Sequence, residues 1–402
     1  MIERIRTYLL EHELDEPIGF SQWYYSKRNA LLIEVVDSSG ASGWGECYGP
    51  AGVTQTAVEQ FYAPILIGQD ALLNERLWSM CWHASHDFAM QGVMMGAISG
   101  LDMALLDLKG KLLNVSASIL MGGAEQDQLK GYATGMYFTR QDEHTLLDSI
   151  LTEAGEHVAK GFGALKIKVG KNIAFDRMLI EALRKTFPEQ TLMADSNHAY
   201  DLNEAIEMGR WLEAHKYRWF EEPLSPTQPT ALAMLCEKLD IAVATGECEQ
   251  TRWGFEKLLN EGAARILQPD MAYCGGPTEA LKIRALASAR GVNVIPHCWG
   301  TQLNLACAAH FLATASAEPG RAEPQALMLE VDNSPNPMRT EMYQTSVVIE
   351  RGRVQVPKGA GLGVEPDLKA LQLFCINQTE IMNDADVSNV DRGRSGRFEQ
   401  TY

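Results

Sequence analysis

Six polar residues recur one strand–helix unit apart through the middle of the chain: Lys168, Asp195, Glu221, Glu247, Asp270 and His297. Their successive gaps are 27, 26, 26, 23 and 27 residues. A strand, a loop, a helix and a return loop together take about that many residues in an eight-stranded parallel barrel, which runs to roughly 250 residues. Each of the six ends or follows a short apolar run, as Leu192-Met193-Ala194 precedes Asp195. In such barrels the C-terminal strand ends converge on one mouth, so the repeat implies one site built by six strands.

The rest of the chain is read around that repeat. Residues 1–125 break the rhythm and predict a small α+β module, with strands near 4–12, 29–36 and 43–46 and helices near 53–66 and 89–112. The second of these helices carries Gly92, Gly96, Ala97, Ser99, Gly100 and Ala104, which suits close packing. Residues 126–335 alternate strand and helix. Strands are expected at 131–138, 164–169, 192–195, 218–222, 242–247, 266–270 and 292–297, with an eighth at 326–331 that no clear helix follows. The expected fold is therefore α/β: a (β/α)7β barrel with a capping domain formed by the N-terminal region and a returning C-terminal segment, 336–375. Residues 376–402 read as a polar, aperiodic and mobile tail.

Composition narrows the partners. A formal charge of −17 disfavours nucleic acid and anionic membrane, while leaving small anions open where a local cation reverses the field. The longest apolar helical stretch, near 93–108, holds Asp102 and Asp107, so it reads as a packed core helix rather than a membrane span. With no signal peptide and eight cysteines that form no CxxC, a soluble protein of the reducing cytosol is expected.

Asp195, Glu221 and Glu247 at matching strand ends would repel one another without a cation between them, and an all-oxygen set suits a hard ion, most simply Mg²⁺. Glu222 follows Glu221 and by strand alternation is expected on the opposite face, which weakens a two-carboxylate glycosidase reading. Lys166 and Lys168 share a strand face; adjacent ammonium groups are expected to depress each other's pKa and free one as a base. Asp270, one strand before His297, would fix its tautomer and raise its basicity. The glycine-rich pieces 275–277 and 359–363 lack a phosphate-loop context and read as turns.

As a set, Lys166-x-Lys168, Asp195-x-Asn197, Glu221-Glu222-Pro223, Gly246-Glu247, Gln268-Pro269-Asp270 and Pro296-His297 resemble the enolase superfamily and its mandelate racemase subgroup. Enolase-superfamily sites are known to pair a Lys or His base with one or two Mg²⁺ ions. The resemblance implies Asp195, Glu221 and Glu247 as ligands of one Mg²⁺ per subunit, Lys168 as a base on one face and Asp270–His297 as the acid/base dyad on the other. It implies that Lys166 neutralises the substrate carboxylate and that Glu330 hydrogen-bonds the developing enolate. Asn197 beside the metal, Trp23 and Tyr24 of the cap loop and Trp299 would bind substrate, and a homo-oligomer, commonly an octamer, would form. Gly43-Trp44-Gly45-Glu46-Cys47, Tyr132-Ala133-Thr134-Gly135 and 296–301 further resemble the branch of galactarolactone cycloisomerases and acid-sugar dehydratases, although the segment 17–27 is bulkier and more aromatic.

The implied reaction removes the proton α to a carboxylate of an acid sugar or its lactone, and the enolate then eliminates a β oxygen to give a 2-keto-3-deoxy acid. The same two bases would also serve a racemase or epimerase of a 2-hydroxy acid. A barrel that binds an acidic metabolite without turnover is a third reading, although every position of the set is filled. Paired lysines and one histidine fit a metal-dependent hydrolase poorly.

Overall fold

In the computed structural model, residues 1–382 are described except 318, 319, 321 and 323–326. The barrel strands are short and buried on both faces, as parallel strands covered by helices must be. With the cap strands β1 (Ile2–Phe20), β2 (Trp23–Asp37) and β3 (Ser42–Cys47) counted first, the barrel opens with β4 (Gln128–Thr134). It continues through β5 (Ala164–Lys168), β6 (Thr191–Asp195), β7 (Trp219–Glu221) and β8 (Ala242–Thr245). The last three strands are β9 (Ile266–Leu267), β10 (Asn293–Val294) and β11 (Met328–Asp332). Neighbours pair in parallel from β4 to β10, and β11 returns to lie parallel to β4. The eighth strand therefore exists as expected, and Ala326 of its expected span lies outside the described residues.

Strand alternation explains where the site sits. Tyr132, Ala164, Met193, Trp219, Ala244, Ile266, Ile295 and Met328 form one buried cluster, the apolar floor inside the barrel. Two residues further along each strand, on the same face, stand Thr134, Lys166, Asp195, Glu221, Gly246, Gln268, His297 and Glu330. The intervening residues, such as Leu165, Ala194 and Phe220, belong to the core shared with the surrounding helices. The polar layer thus rests on an apolar plug that holds its side chains out of bulk solvent.

The cap is an antiparallel sheet in which β1 pairs β2 and β2 pairs β3. The helix Val93–Leu113 lies on β3 so closely that a Cβ added to Gly43, Gly45 or Gly100 would approach neighbouring atoms to 2.3, 2.0 and 2.3 Å. The expectation of close helix packing is met. Two cap expectations are corrected. The first two strands are much longer than 4–12 and 29–36, because the aromatic segment 17–27 continues them as a hairpin turning at Ser21 and Gln22. The start of the presumed tail, Cys375–Met382, forms a strand on the free edge of β1. Thr379 meets Thr7 at 2.7 Å and Glu380 pairs with Arg6, long-range partners that a local reading of polar residues cannot supply. Residues 383–402 of the presumed tail lie outside the described residues.

Candidate active site

Asp195 and Glu221 end β6 and β7, and Glu247 follows β8 after Gly246, whose φ of +128° turns the chain over the barrel rim. The ligand atoms of Asp195, Glu221 and Glu247 lie within 4.8 Å of one another, and all three residues are buried. Glu221 Oε2 accepts from Trp219 Nε1 at 2.9 Å and from Gln268 Nε2 at 2.7 Å, which fixes its plane. Glu247 Oε2 is buried with no hydrogen-bond partner among the described residues. Burial, opposed by Lys166, pushes Glu221 up to about 7; burial and then the charge of Glu222 push Glu247 up to about 7. An orphaned oxygen and carboxylates that resist ionising together are what a hard cation relieves, so the residues present fit Mg²⁺.

Lys166 pairs with Glu221, and with Glu330 at 2.7 Å. Lys168 donates to Asp195 Oδ2 at 2.6 Å and to Asn197 Oδ1 at 2.9 Å. The expected depression of Lys168 by Lys166 is present but outweighed. Burial lowers Lys168 and Lys166 lowers it further, but the charges of Asp195 and Glu247, with the Asp195 hydrogen bond, together leave its pKa raised. In return, and despite its burial, Asp195 is held near 2 by Lys168 and Lys166.

On the opposite side of the mouth His297 Nδ1 meets Asp270 Oδ2 at 2.6 Å, with Asp270 and His297 themselves bridged along their backbones. Burial lowers the imidazole, yet Glu247 and Asp270 hold it up to about 10. Asp270 is steadied by Ala272 N at 2.7 Å and by Asn304 Nδ2 at 3.1 Å. Asn304 lies in the helix Gln302–Ala313, whose first turn is tied to the cap. Glu46 of β3 accepts from Thr301 N at 2.9 Å, Thr301 Oγ1 at 2.6 Å and Asn304 N at 3.3 Å. Glu330 Oε2 accepts from Cys298 N at 3.0 Å, so its other oxygen reaches Lys166.

The structure thus brings together Lys166, Lys168, Asp195, Asn197, Glu221, Glu247, Asp270, His297 and Glu330. The aromatic expectations fare differently. Trp23 sits at the hairpin tip and is 73% exposed. The Tyr24 hydroxyl turns to Thr139 O at 3.4 Å, beneath Arg140. The hairpin is anchored one step earlier, where Gly19 and Phe138 exchange backbone hydrogen bonds, so residues beyond that point overhang the barrel. Phe20 and Tyr25 face the site instead: Lys168 Nζ is 5.9 Å from the Phe20 ring, and Tyr25 packs edge-on to Tyr137 and Trp299. Trp299 lies between Tyr25 and Tyr48, with the Tyr48 ring 6.1 Å from His297. Arg28, buried and 4.5 Å over Trp299, closes the far wall through Asp332 and Ser334.

Glu222 also departs from expectation. The strand ends at Glu221 and Glu222 takes φ +42°, so alternation no longer governs it. Its carboxylate reaches His198 Nε2 at 2.7 Å and acts on Glu247. Glu46, Thr134 and Gln268 stand in the quoted motifs without a role of their own, and Phe20, Tyr25, Arg28 and Asn304 were not singled out from the sequence. Thr134 and Gln268 could have been found by stepping two residues beyond the barrel floor; the others depend on long-range contacts.

Barrel and cap together define the enolase superfamily fold. Residues 4–122 match the mandelate racemase / muconate lactonizing enzyme N-terminal domain, and 149–370 match the enolase C-terminal domain-like family. The chain belongs to the mandelate racemase / muconate lactonizing enzyme family. It is similar to D-galactarolactone cycloisomerase of Agrobacterium fabrum, 38% identical over 93% of this chain and 98% of that one. Among solved structures, it is similar to 3,6-anhydro-D-galactonate cycloisomerase from Zobellia galactanivorans, with TM-score 0.85, 36% identity, and 94% and 99% of the two chains covered. L-talarate/galactarate dehydratase from Salmonella typhimurium, liganded with Mg and L-lyxarohydroxamate, superposes with TM-score 0.82 at 26% identity over 95% and 94% of the chains. Among the described residues no helix is long and apolar enough to cross a membrane.

Proposed function

We propose that this protein removes the proton α to a carboxylate of an acid sugar or its lactone, with β-elimination giving a 2-keto-3-deoxy acid. The observation that carries this reading is the opposition of Lys168 and the Asp270–His297 dyad across a buried three-carboxylate cluster. Asp195, Glu221 and Glu247 would hold Mg²⁺, which when bound supplies Lewis-acid stabilisation of an enolate, worth several kcal/mol. Lys166, in contact with Glu330, would face the substrate carboxylate as a fixed cation. Lys168 would be the base, held in place by Asp195 Oδ2 and Asn197 Oδ1; with a cation held by Asp195, the carboxylate charge that raises the Lys168 pKa would be offset. His297, protonated in its pairing with Asp270, donates to the departing β oxygen. A positioned acid or base of this kind contributes typically 10²–10⁴-fold.

The distal wall supports a polyhydroxylated substrate. Tyr25 Oη, Trp299 Nε1 and Thr134 Oγ1 are buried without hydrogen-bond partners among the described residues, and the hydroxyls of an acid sugar would pair with them. The names of the similar enzymes, a galactarolactone and an anhydrogalactonate cycloisomerase, point to the same chemical class. The eight unpaired cysteines support a cytosolic setting. The test is a screen of aldonic acids, aldaric acids and their lactones with Mg²⁺, read by 2-keto acid formation. Keto product from one stereochemical series is expected; exchange of the α proton with no keto product would move the assignment to racemisation or epimerisation.

A further inference from the structure

Each strand end that carries a carboxylate of the cluster carries a second donor close behind it. His198 comes three residues after Asp195, Glu222 directly after Glu221, and Cys248 directly after Glu247. Donor atoms of His198, Glu222 and Cys248 lie within 4.8 Å of one another. Glu222 is fully buried, and beyond its ion-pair contact with His198 Nε2 its oxygens make no hydrogen bond of good geometry among the described residues. A buried carboxylate left in that condition costs free energy that only a neighbouring positive charge recovers. His198 supplies a charge only when protonated, and its Nε2 stands 2.7 Å from Glu222 Oε2.

Charge across the whole mouth points the same way. Asp195, Glu221, Glu222, Glu247, Asp270 and Glu330 are six carboxylates, linked through their contacts to two ammonium groups, Lys166 and Lys168, and to the His297 imidazole. With His297 protonated, one divalent ion among Asp195, Glu221 and Glu247 leaves a single negative charge, and Glu222 is the carboxylate that contacts neither lysine nor His297.

We propose that His198, Glu222 and Cys248 form a second cation site, separate from the three-carboxylate cluster, that takes a borderline-soft divalent ion of the Zn²⁺ class. A nitrogen, an oxygen and a sulfur donor select such an ion over Mg²⁺, which favours oxygen alone. His198 is partly exposed and Cys248 exposed, so water completes a four-coordinate shell from the open side. Binding exchanges the Cys248 S–H bond for a metal–thiolate bond and releases that proton to solvent, together with the imidazolium proton where His198 carries one. Affinity therefore rises with pH. The ion would sit beside Glu247 through the Glu222 and Cys248 backbones, a place from which it can restrain the catalytic cluster. None of this depends on which acid the enzyme turns over.

The test uses the full-length protein at saturating Mg²⁺, with Zn²⁺ titrated against a chelating dye, in wild type, His198→Gln, Cys248→Ser and Asp195→Asn. One tight Zn²⁺ per chain is expected in wild type and in Asp195→Asn, with affinity at least ~100-fold weaker in the other two. Co²⁺ in place of Zn²⁺ should give a thiolate-to-metal charge-transfer band that Cys248→Ser abolishes. Cys248 is exposed, so its serine variant is expected to fold, and an unchanged thermal midpoint checks this. Equal Zn²⁺ affinity in wild type, His198→Gln and Cys248→Ser, or a Co²⁺ complex without the thiolate band, would overturn the proposal and leave His198–Glu222 as an ion pair only.

Discussion

Replacing Gly45 by alanine should damage both the stability of the cap and the setting of the dyad. Gly45 lies in β3 where the helix Val93–Leu113 crosses it, and an added Cβ would stand 2.0 Å from Gly100 O and 2.7 Å from Ala104 N. Real Cβ contacts do not fall below 3.0 Å, and both obstacles are backbone, so strand and helix must separate by about 1 Å. Overpacking of this kind costs typically 1–3 kcal/mol, and with no side chain able to yield we expect about 3 kcal/mol or more. A loss of 3 kcal/mol lowers the folding constant by roughly 10²-fold. Glu46, the next residue, holds Thr301 and Asn304, so the displacement should also loosen Asp270 and reduce turnover. Gly52→Ala is the control, because Gly52 lies in the helix Ala51–Ala57 with Leu9 Cδ2 its nearest neighbour at 4.0 Å. There alanine should be neutral or stabilising by up to about 1 kcal/mol. Urea unfolding followed by tryptophan fluorescence measures both variants. A Gly45→Ala protein within about 0.5 kcal/mol of Gly52→Ala would refute the packing argument.

Three further outcomes are expected. Asp102, buried and accepting from Thr278 N and Oγ1, has its pKa pushed up to about 7, chiefly by burial. Its folded pKa exceeds the unfolded one, so the stability it contributes is full below about pH 4 and lost as pH rises through 7. Asp102→Asn, which can keep both bonds, should therefore flatten that decline by on the order of 2–4 kcal/mol, measured as unfolding free energy from pH 5 to 8. Asn304→Ala removes a donor to the Asp270 carboxylate and should lower kcat about 10–100-fold with little change in KM, by steady-state kinetics. Mg²⁺ at a hundred times its dissociation constant should stabilise the protein by about 2.7 kcal/mol in thermal or urea unfolding, and Asp195→Asn should lose that increment.

The polar layer at the barrel mouth was legible because barrel geometry writes itself into spacing. Lys166, Asp195, Glu221, His297 and Glu330 all occupy the position two residues above an apolar floor residue, and that register follows from strand alternation alone. The rule stops where strands stop. Glu222 and Glu247 lie beyond their strand ends, at or after residues with positive φ, so only the structure shows where they aim. That Trp23 stands exposed at the hairpin tip while Tyr25 packs against Trp299 was not legible, because the hairpin's docking point at Gly19 and Phe138 is a long-range contact. The strand Cys375–Met382 is mostly exposed and polar, so nothing in its pattern distinguishes it from a tail until β1 offers an edge. The net upward shift of Lys168 was not legible because its nearest charged neighbour is a carboxylate rather than the other lysine.

The central claim is proton abstraction α to a carboxylate by Lys168 opposite His297. The most direct measurement is proton NMR in D₂O of an acid-sugar panel incubated with Mg²⁺ and wild type, Lys168→Ala or His297→Asn protein. The account expects a 2-keto-3-deoxy acid carrying solvent deuterium from the wild type, and no product from either variant although each still binds Mg²⁺. Full turnover by both variants, or neither α-proton exchange nor keto product from any acid with wild-type protein, would contradict it.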